Sequence, residues 1–306
     1  MINVNNLTRL YGEFKAVDDI SFVINEGEIT GLLGPNGAGK TTTLRMLSCY
    51  LKQDSGSILV DGKNTIDEPL EIKKMIGYLP ESAPLYGEML VFDYLMFVSE
   101  IRGIEGTQSI MKVAEMCRIK DVMHKSINEL SKGYRQRVGL AHAMIHDPKI
   151  LILDEPTSGL DPIEIVEIRE LIKELGKRKT VILSTHILSE VEAACDRVII
   201  INKGRIVADD KTGLLGSSGE DNRIIIKISG TDYTTLKSEL ANISGVKKID
   251  NIDDKELIAA EIFSDKNLDI RPEIFRLVAS KGWIMYEMKQ EQISLENIFR
   301  ELTERA

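Results

Sequence analysis

Cysteine is scarce in this 306-residue chain, with only Cys49, Cys117 and Cys195, far apart and odd in number. There is no CxxC pair. A disulfide framework and a structural zinc site are therefore disfavoured, and a reducing compartment is expected. Basic residues are in deficit: Lys and Arg total 39 against 48 Asp and Glu, a formal net charge of −9. Surfaces that hold DNA or RNA carry the opposite excess, so nucleic acid is not expected as the main partner. A lone polybasic lipid anchor is not expected either. Long apolar runs are missing, and none approaches the ~20 residues of a membrane-spanning helix. The opening stretch MINVNNLTRLYGEF has no basic segment followed by an apolar one, so no secretory signal is expected. The chain reads as cytoplasmic; if it works at a membrane, another protein must hold it there. Sequence repeats and low-complexity tracts are also lacking.

Apolar residues make up 43% of the chain and charged residues 28%, enough to build a core. The length fits two domains or one large one. The clearest seam is Gly213–Asn222, GLLGSSGEDN, rich in Gly, Ser and charge, with the linker proper placed at 216–222. Upstream, short β-branched runs alternate with helical periodicity: EITGLLG, KILILD, TVILST and RVIIIN each adjoin a helical segment. Continuous apolar runs of this kind fit strands buried on both faces, and hence a parallel α/β sheet. The stretch from about 85 to 145 reads mostly helical, as an insertion in that α/β domain. Cys49 and Cys195 fall on segments read as helical and are assigned to the core. Downstream, 223–306 reads β-α-β-β-α-β plus a final helix, the order of a ferredoxin-like split βαβ unit.

The sharpest signal is Gly34-Pro-Asn36-Gly37-Ala38-Gly39-Lys40-Thr41, a full match to G-x-x-x-x-G-K-[ST] between a strand and a helix. Glycines let the backbone curl tightly, with its N–H groups turned inward on phosphate. The helix that follows adds free donors and partial positive charge. Lys40 is placed to reach the β- and γ-phosphates. The Thr41 hydroxyl is placed to ligate Mg²⁺, with Thr42 beside it. A second signal is Ile150-Leu-Ile-Leu-Asp154-Glu155. A carboxylate at the end of a buried strand needs a cation, and Mg²⁺ beside Asp154 supplies one. Glu155 is then placed to polarise the attacking water as general base.

Leu130-Ser131-Lys132-Gly133-Tyr134 precedes that strand, and Asp154-Glu155-Pro156-Thr157-Ser158-Gly159-Leu160-Asp161 and Ser184-Thr185-His186 follow. With the phosphate loop, this set over residues 1–215 resembles the ATP-binding subunits of ABC transporters. The resemblance implies a P-loop NTPase core, ATP and Mg²⁺ as cofactors, and a head-to-tail dimer with two ATP molecules at its seam; one chain with intact motifs suffices for a homodimer. It gives Tyr11 as the aromatic that stacks on adenine, and residues 34–42 as the Walker A loop. Ser131 and Gly133 become the signature loop that contacts ATP held by the opposite subunit. Asp161 becomes the D-loop aspartate at the seam, and His186 the switch histidine at the γ-phosphate.

Two departures stand out. The signature reads LSKGY where the family has LSGGQ. Glu81, in Ile76-Gly-Tyr-Leu-Pro-Glu81, replaces the Q-loop glutamine and brings a charge to the Mg²⁺ site. Within the family, the segment GYLPE…APLY, the signature and the small C-terminal part are most similar to exporter ATPases of the gliding-motility-associated and drug or sodium efflux subgroups. These work with a separate polytopic permease. His124, His142 and His146 show no ligand spacing and read as structural. Two other readings stay open: a soluble ABC ATPase acting on the ribosome or DNA, and a nucleotide-gated module that barely hydrolyses. A single cassette, the short stretch between phosphate loop and signature, and the acidic balance speak against the former. Intact Lys40, Asp154, Glu155 and His186 speak against the latter.

Overall fold

The computed structural model describes residues 1–212, 221–254, 257–265 and 268–291. The chain divides into two compact units, Met1–Thr212 and a second beginning at Gly213.

The first unit holds two sheets. Strands β3 (Ile29–Leu33), β6 (Ile76–Leu79), β7 (Ile150–Asp154), β8 (Thr180–Thr185) and β9 (Arg197–Asn202) run parallel, and β10 (Arg205–Lys211) pairs antiparallel to β9 at one edge. The order is β10-β9-β3-β8-β7-β6. Every residue of β3, β7 and β8 is buried, the environment that a β-branched run with no polar alternation requires. The register places Leu33 beside Thr185, and Asp154 beside Ser184. The phosphate loop, Asp154-Glu155 and Ser184-Thr185-His186 therefore leave the sheet at one carboxyl edge. Ligands of open α/β sheets bind at that edge.

The other sheet, order β2-β1-β4-β5, is antiparallel and was not foreseen from the sequence. It contains β1 (Ile2–Tyr11), β2 (Phe14–Ile24), β4 (Ser55–Val60) and β5 (Lys63–Asn64). Its inner residues Ile2, Val4, Leu7, Ile20, Ile24, Ile58 and Val60 join the parallel sheet in one core. The expected helical segment is present as α3 (Val91–Ile101), α4 (Gln108–Met116) and α5 (Lys132–Met144). Ser131 caps α5 by accepting from the Tyr134 amide at 3.2 Å. The remaining helices of the unit are α1 (Lys40–Leu47), α2 (Pro69–Met75), α6 (Pro162–Gly176) and α7 (Leu188–Ala194).

Two cysteines sit differently from the sequence reading. Helix α1 stops at Leu47 because the chain turns at Ser48 and enters the left-handed region at Cys49, φ 56°. Cys195 is the residue that ends α7. Burial holds the Cys117 and Cys195 thiols up at about 12, so both are inert at neutral pH.

The second unit is a four-stranded antiparallel sheet of order β12-β13-β11-β14. Its strands are β11 (Asp221–Ser229), β12 (Val246–Ile252), β13 (Ile258–Asp265) and β14 (Ile284–Glu291). Helices α8 (Tyr233–Leu240) and α9 (Arg271–Ser280) complete the β-α-β-β-α-β order. This is the split βαβ arrangement, with a core of Ile224, Ile226, Ile228, Leu236, Leu240, Ile262 and Ile274. Strand β11 already includes Asp221 and Asn222, which the sequence reading gave to the linker. The final helix expected over SLENIFRELTE lies outside the described residues.

Candidate nucleotide site

The phosphate loop packs closely against the backbone of neighbouring strands. A Cβ on Gly34 would meet the Ile201 carbonyl oxygen at 2.1 Å, and one on Gly39 the Ala16 carbonyl oxygen at 2.4 Å. Gly39 also sits at φ 106° as the residue that starts α1. Larger residues are excluded there by contact and by conformation. The Lys40 Nζ lies 2.7 Å from the Gly34 carbonyl, 3.2 Å from that of Pro35 and 3.3 Å from Glu155 Oε1. An ammonium only 5% exposed is thus held by two carbonyls and a carboxylate.

Asp154 ends β7 at 1% exposure. Its Oδ1 accepts from Thr41 Oγ1 at 3.0 Å and from Ser184 Oγ at 2.7 Å. Its Oδ2 is buried without a partner. Such an oxygen is costly unless something meets it. Ser184 Oγ also accepts from the Glu155 amide at 2.9 Å. Glu155 itself has φ 46°, a left-handed conformation unusual for a residue with a side chain. His186 Nδ1 is 2.9 Å from Glu155 Oε2. The Glu155 carboxylate is therefore flanked by Lys40 on one oxygen and His186 on the other.

These groups border a cavity of about 480 Å³ lined by Tyr11, Phe14, Ala16, residues 36–42, Glu81, Glu155, Ser158 and His186. Every lining residue belongs to the first unit. Tyr11 and Phe14 face each other across the β1–β2 turn and are 47% and 62% exposed, an aromatic platform at the mouth. The Arg9 guanidinium lies 5.3 Å from the centroid of the Tyr11 ring.

The structure brings together Tyr11, Asn36, Gly37, Ala38, Gly39, Lys40, Thr41, Thr42, Glu81, Glu155 and His186, with Gly34 and Asp154 directly behind them. Ser131, Gly133 and Asp161 are absent from the cavity lining. Ser131 Oγ donates to Glu164 Oε1 at 3.0 Å, and a Cβ on Gly133 would collide with the same Glu164 side chain. Asp161 caps α6, accepting from the Ile163 and Glu164 amides at 2.9 and 2.8 Å. Sequence reasoning missed Phe14, Ala16, Ser158 and the bridging role of Ser184. Ser158 and Ser184 had a local signal, as members of the Asp154-to-Asp161 and Ser-Thr-His runs. His142 and His146 are structural as expected: Tyr94 Oη meets His142 Nδ1 at 2.7 Å, and His146 Nε2 meets the Ile76 carbonyl at 3.1 Å.

Among the described residues no three His, Cys, Asp or Glu side chains cluster to hold a metal. A hydroxyl, one deeply buried carboxylate with a spare oxygen, and an adjoining phosphate cradle form the donor set that suits Mg²⁺, which keeps waters and uses few protein ligands. The residues present fit that ion.

A family model described as ABC transporter matches residues 17–158, and one described as AAA domain, putative AbiEii toxin, Type IV TA system, matches 126–192. The chain is 34% identical over 305 residues to the ABC transporter ATP-binding protein YhaQ of Bacillus subtilis (strain 168), covering 98% of each. It is 40% identical over 211 residues to the bacitracin transport ATP-binding protein BcrA of Bacillus licheniformis, covering 68% of this chain and 69% of that one. A solved dimer of the ATP-binding cassette MJ0796, in a post-hydrolysis state bound to ADP and Pi, superposes with TM-score 0.62 at 27% identity. That match covers 69% of this chain and 99% of the other. With the phosphate loop, the buried Asp154 and the Glu155–His186 pair at one sheet edge, these likenesses identify the chain as a member of the ABC transporter family, an ATP-binding subunit and an ATPase.

Proposed function

We propose that this chain hydrolyses Mg²⁺-ATP at the seam of a head-to-tail dimer and so drives a separate polytopic permease in an exporter. The observation that carries the reading is the continuous network Thr41–Asp154–Ser184–Glu155–His186, with Lys40 on Glu155, at the edge of one cavity.

The residues divide the work. The backbone of 34–39 and the α1 N-terminus bind phosphate, Lys40 exchanges its carbonyl contacts for phosphate oxygens, and Tyr11 stacks on the base. Thr41 and Asp154 Oδ2 hold Mg²⁺, with Glu81 as a further acid on the same wall. That ion, when bound, would supply neutralisation of the charge on the phosphate oxygens. Glu155 orients water and accepts its proton; His186 and Lys40 hold that carboxylate in place. Ser131, Gly133 and Asp161 lie off this cavity in their own chain, which supports their service to a second copy. The nucleotide chemistry is assigned to the Met1–Thr212 unit, and the second unit is read as accessory.

The permease reading draws on an apolar groove of about 1030 Å³ that includes Pro80 and Ser82, the neighbours of Glu81. Leu70, Tyr86 and Ile101 stand exposed along it. Among the described residues no helix is long and apolar enough to cross a membrane. The chain then works peripherally, on the cytoplasmic face, through its permease and not through a lipid anchor. The bacitracin transport relative supports an exporter of this kind.

The test is a pull-down of tagged Glu155→Gln protein with Mg²⁺-ATP from detergent-solubilised native membranes, read by mass spectrometry. Recovery of a polytopic membrane protein, lost when Lys40 is also changed, is expected. Recovery of ribosomal or DNA-bound proteins instead would overturn the exporter reading.

A further inference from the structure

Glu190 is a buried acid that the nucleotide chemistry leaves unused. It is 6% exposed on the first turn of α7, on the face that also buries Val191 and Ala194. An apolar residue would pack there at no electrostatic cost, and a buried carboxylate is expensive unless paired. Among the described residues no cation lies within ion-pairing distance of Glu190. Two threonine hydroxyls meet it instead: Thr157 Oγ1 donates to Oε1 at 2.5 Å, and Thr185 Oγ1 donates to Oε2 at 2.6 Å. Both threonines are buried, at 5% and 0% exposure.

The two donors come from the two loops that make the reactive end of the site. Thr157 is two residues past Glu155, and Thr185 directly precedes His186. Thr185 Oγ1 also accepts from the Ile187 amide at 3.0 Å, so the peptide that carries His186 is tied down on both sides. The Glu155 loop starts from a left-handed residue and needs outside restraint to stay there. One carboxylate thus bonds to both loops, those that carry the 2.9 Å contact between Glu155 and His186.

We propose that Glu190 is a positioning residue for ATP hydrolysis: its carboxylate bridges Thr157 and Thr185 and sets the spacing of Glu155 and His186. The proposal rests on the reading of Glu155 as the base. Removing the bridge loosens the proton acceptor relative to the phosphate without touching the cradle of 34–42. Misplacement of a catalytic group by ~1 Å costs about 100-fold in rate. Glutamine preserves the bridge in part, since its carbonyl accepts from one threonine and its amide donates to the other.

The experiment is steady-state phosphate release by the full chain with Mg²⁺-ATP, alongside ATP binding, for wild type, Glu190→Ala, Glu190→Gln and Glu155→Gln. The expected result is a kcat lower by about 10–100-fold in Glu190→Ala, ATP affinity near that of wild type, and partial recovery in Glu190→Gln. A Glu190→Ala protein with wild-type kcat overturns the proposal. So does one whose kcat and ATP binding fall together, which marks a merely structural role. If Glu190→Ala does not fold, Thr157→Val cuts one arm of the bridge, and the same split or its absence decides. An active Glu155→Gln sinks the reading of the base whatever Glu190 does; an inactive Glu155→Gln beside a fully active Glu190→Ala sinks only the positioning role.

Discussion

Replacing Ser184 by alanine removes a hydroxyl that is 0% exposed and joins the two acids of the site. Two interactions go at once. The Glu155 amide, 2.9 Å from Ser184 Oγ, becomes a buried donor without a partner, at about 1–3 kcal/mol. Asp154 loses a 2.7 Å donor to its carboxylate, in the range of about 1.5–3 kcal/mol for a bond to a charged group. Asp154 keeps Thr41 at 3.0 Å, and the two losses share one network, so they do not add in full. A net destabilisation of about 3 kcal/mol follows. For a unit of this size each kcal/mol moves Tm by about 2–4 °C, which gives a fall of about 6–12 °C. The assay is thermal unfolding of the full chain, following the transition that Mg²⁺-ATP raises, because ligand stabilises the unit that binds it. A Tm within about 1 °C of wild type would show that Ser184 does not restrain Glu155 and that the network is not coupled as described.

Other outcomes follow from the same geometry. Glu81→Gln removes a charge from the cavity wall, and the Mg²⁺ half-saturation of ATPase activity should rise several-fold; an unchanged value takes Glu81 out of the metal site. Tyr11→Ala should weaken ATP binding by about tenfold, the low-to-middle range for loss of one base stack, and leave inorganic phosphate binding alone; equal loss of both would place Tyr11 elsewhere. Burial, with Arg102 next in effect, depresses the His146 imidazole from its usual 6.5 to about 4. The neutral ring therefore contributes stability that is complete above pH 6.5 and lost as pH falls toward 4. Urea unfolding at pH 7 and pH 5 should show wild type losing about 1 kcal/mol more than His146→Gln on acidification, after allowance for partial exposure; parallel losses would refute the assignment.

The parallel sheet was legible because its strands are buried on both faces and carry unbroken apolar runs. The antiparallel sheet was hidden by its own irregularity. Register shifts interrupt the β1–β2 pairing between Val4 and Leu7, Leu7 and Arg9, and Arg9 and Leu10, and Asn6 and Asp19 take left-handed backbone. The period of two that marks a strand never persists there. The phosphate loop was legible because its parts are contiguous. The bridges made by Ser184 and Glu190 were not, since Glu155 and Asp154 lie 29 and 30 residues from Ser184, and Thr157 lies 33 residues from Glu190, and these meet only when β7 and β8 pair. A buried glutamate on a short amphipathic helix looks from sequence like any solvated one. Cys49 falls two residues past its helix because the left-handed exit there occurs at a non-glycine, where no sequence signal marks it, and Cys195 falls one residue past its own.

The most direct test of the central claim is phosphate release from Mg²⁺-ATP by wild type and Glu155→Gln, with the mass of each species measured in parallel. The account predicts that the variant loses at least about 100-fold in turnover, retains ATP and accumulates as a dimer, since the acid between Lys40 and His186 is the proposed proton acceptor. Turnover by Glu155→Gln within about twofold of wild type, with no dimer, would contradict it.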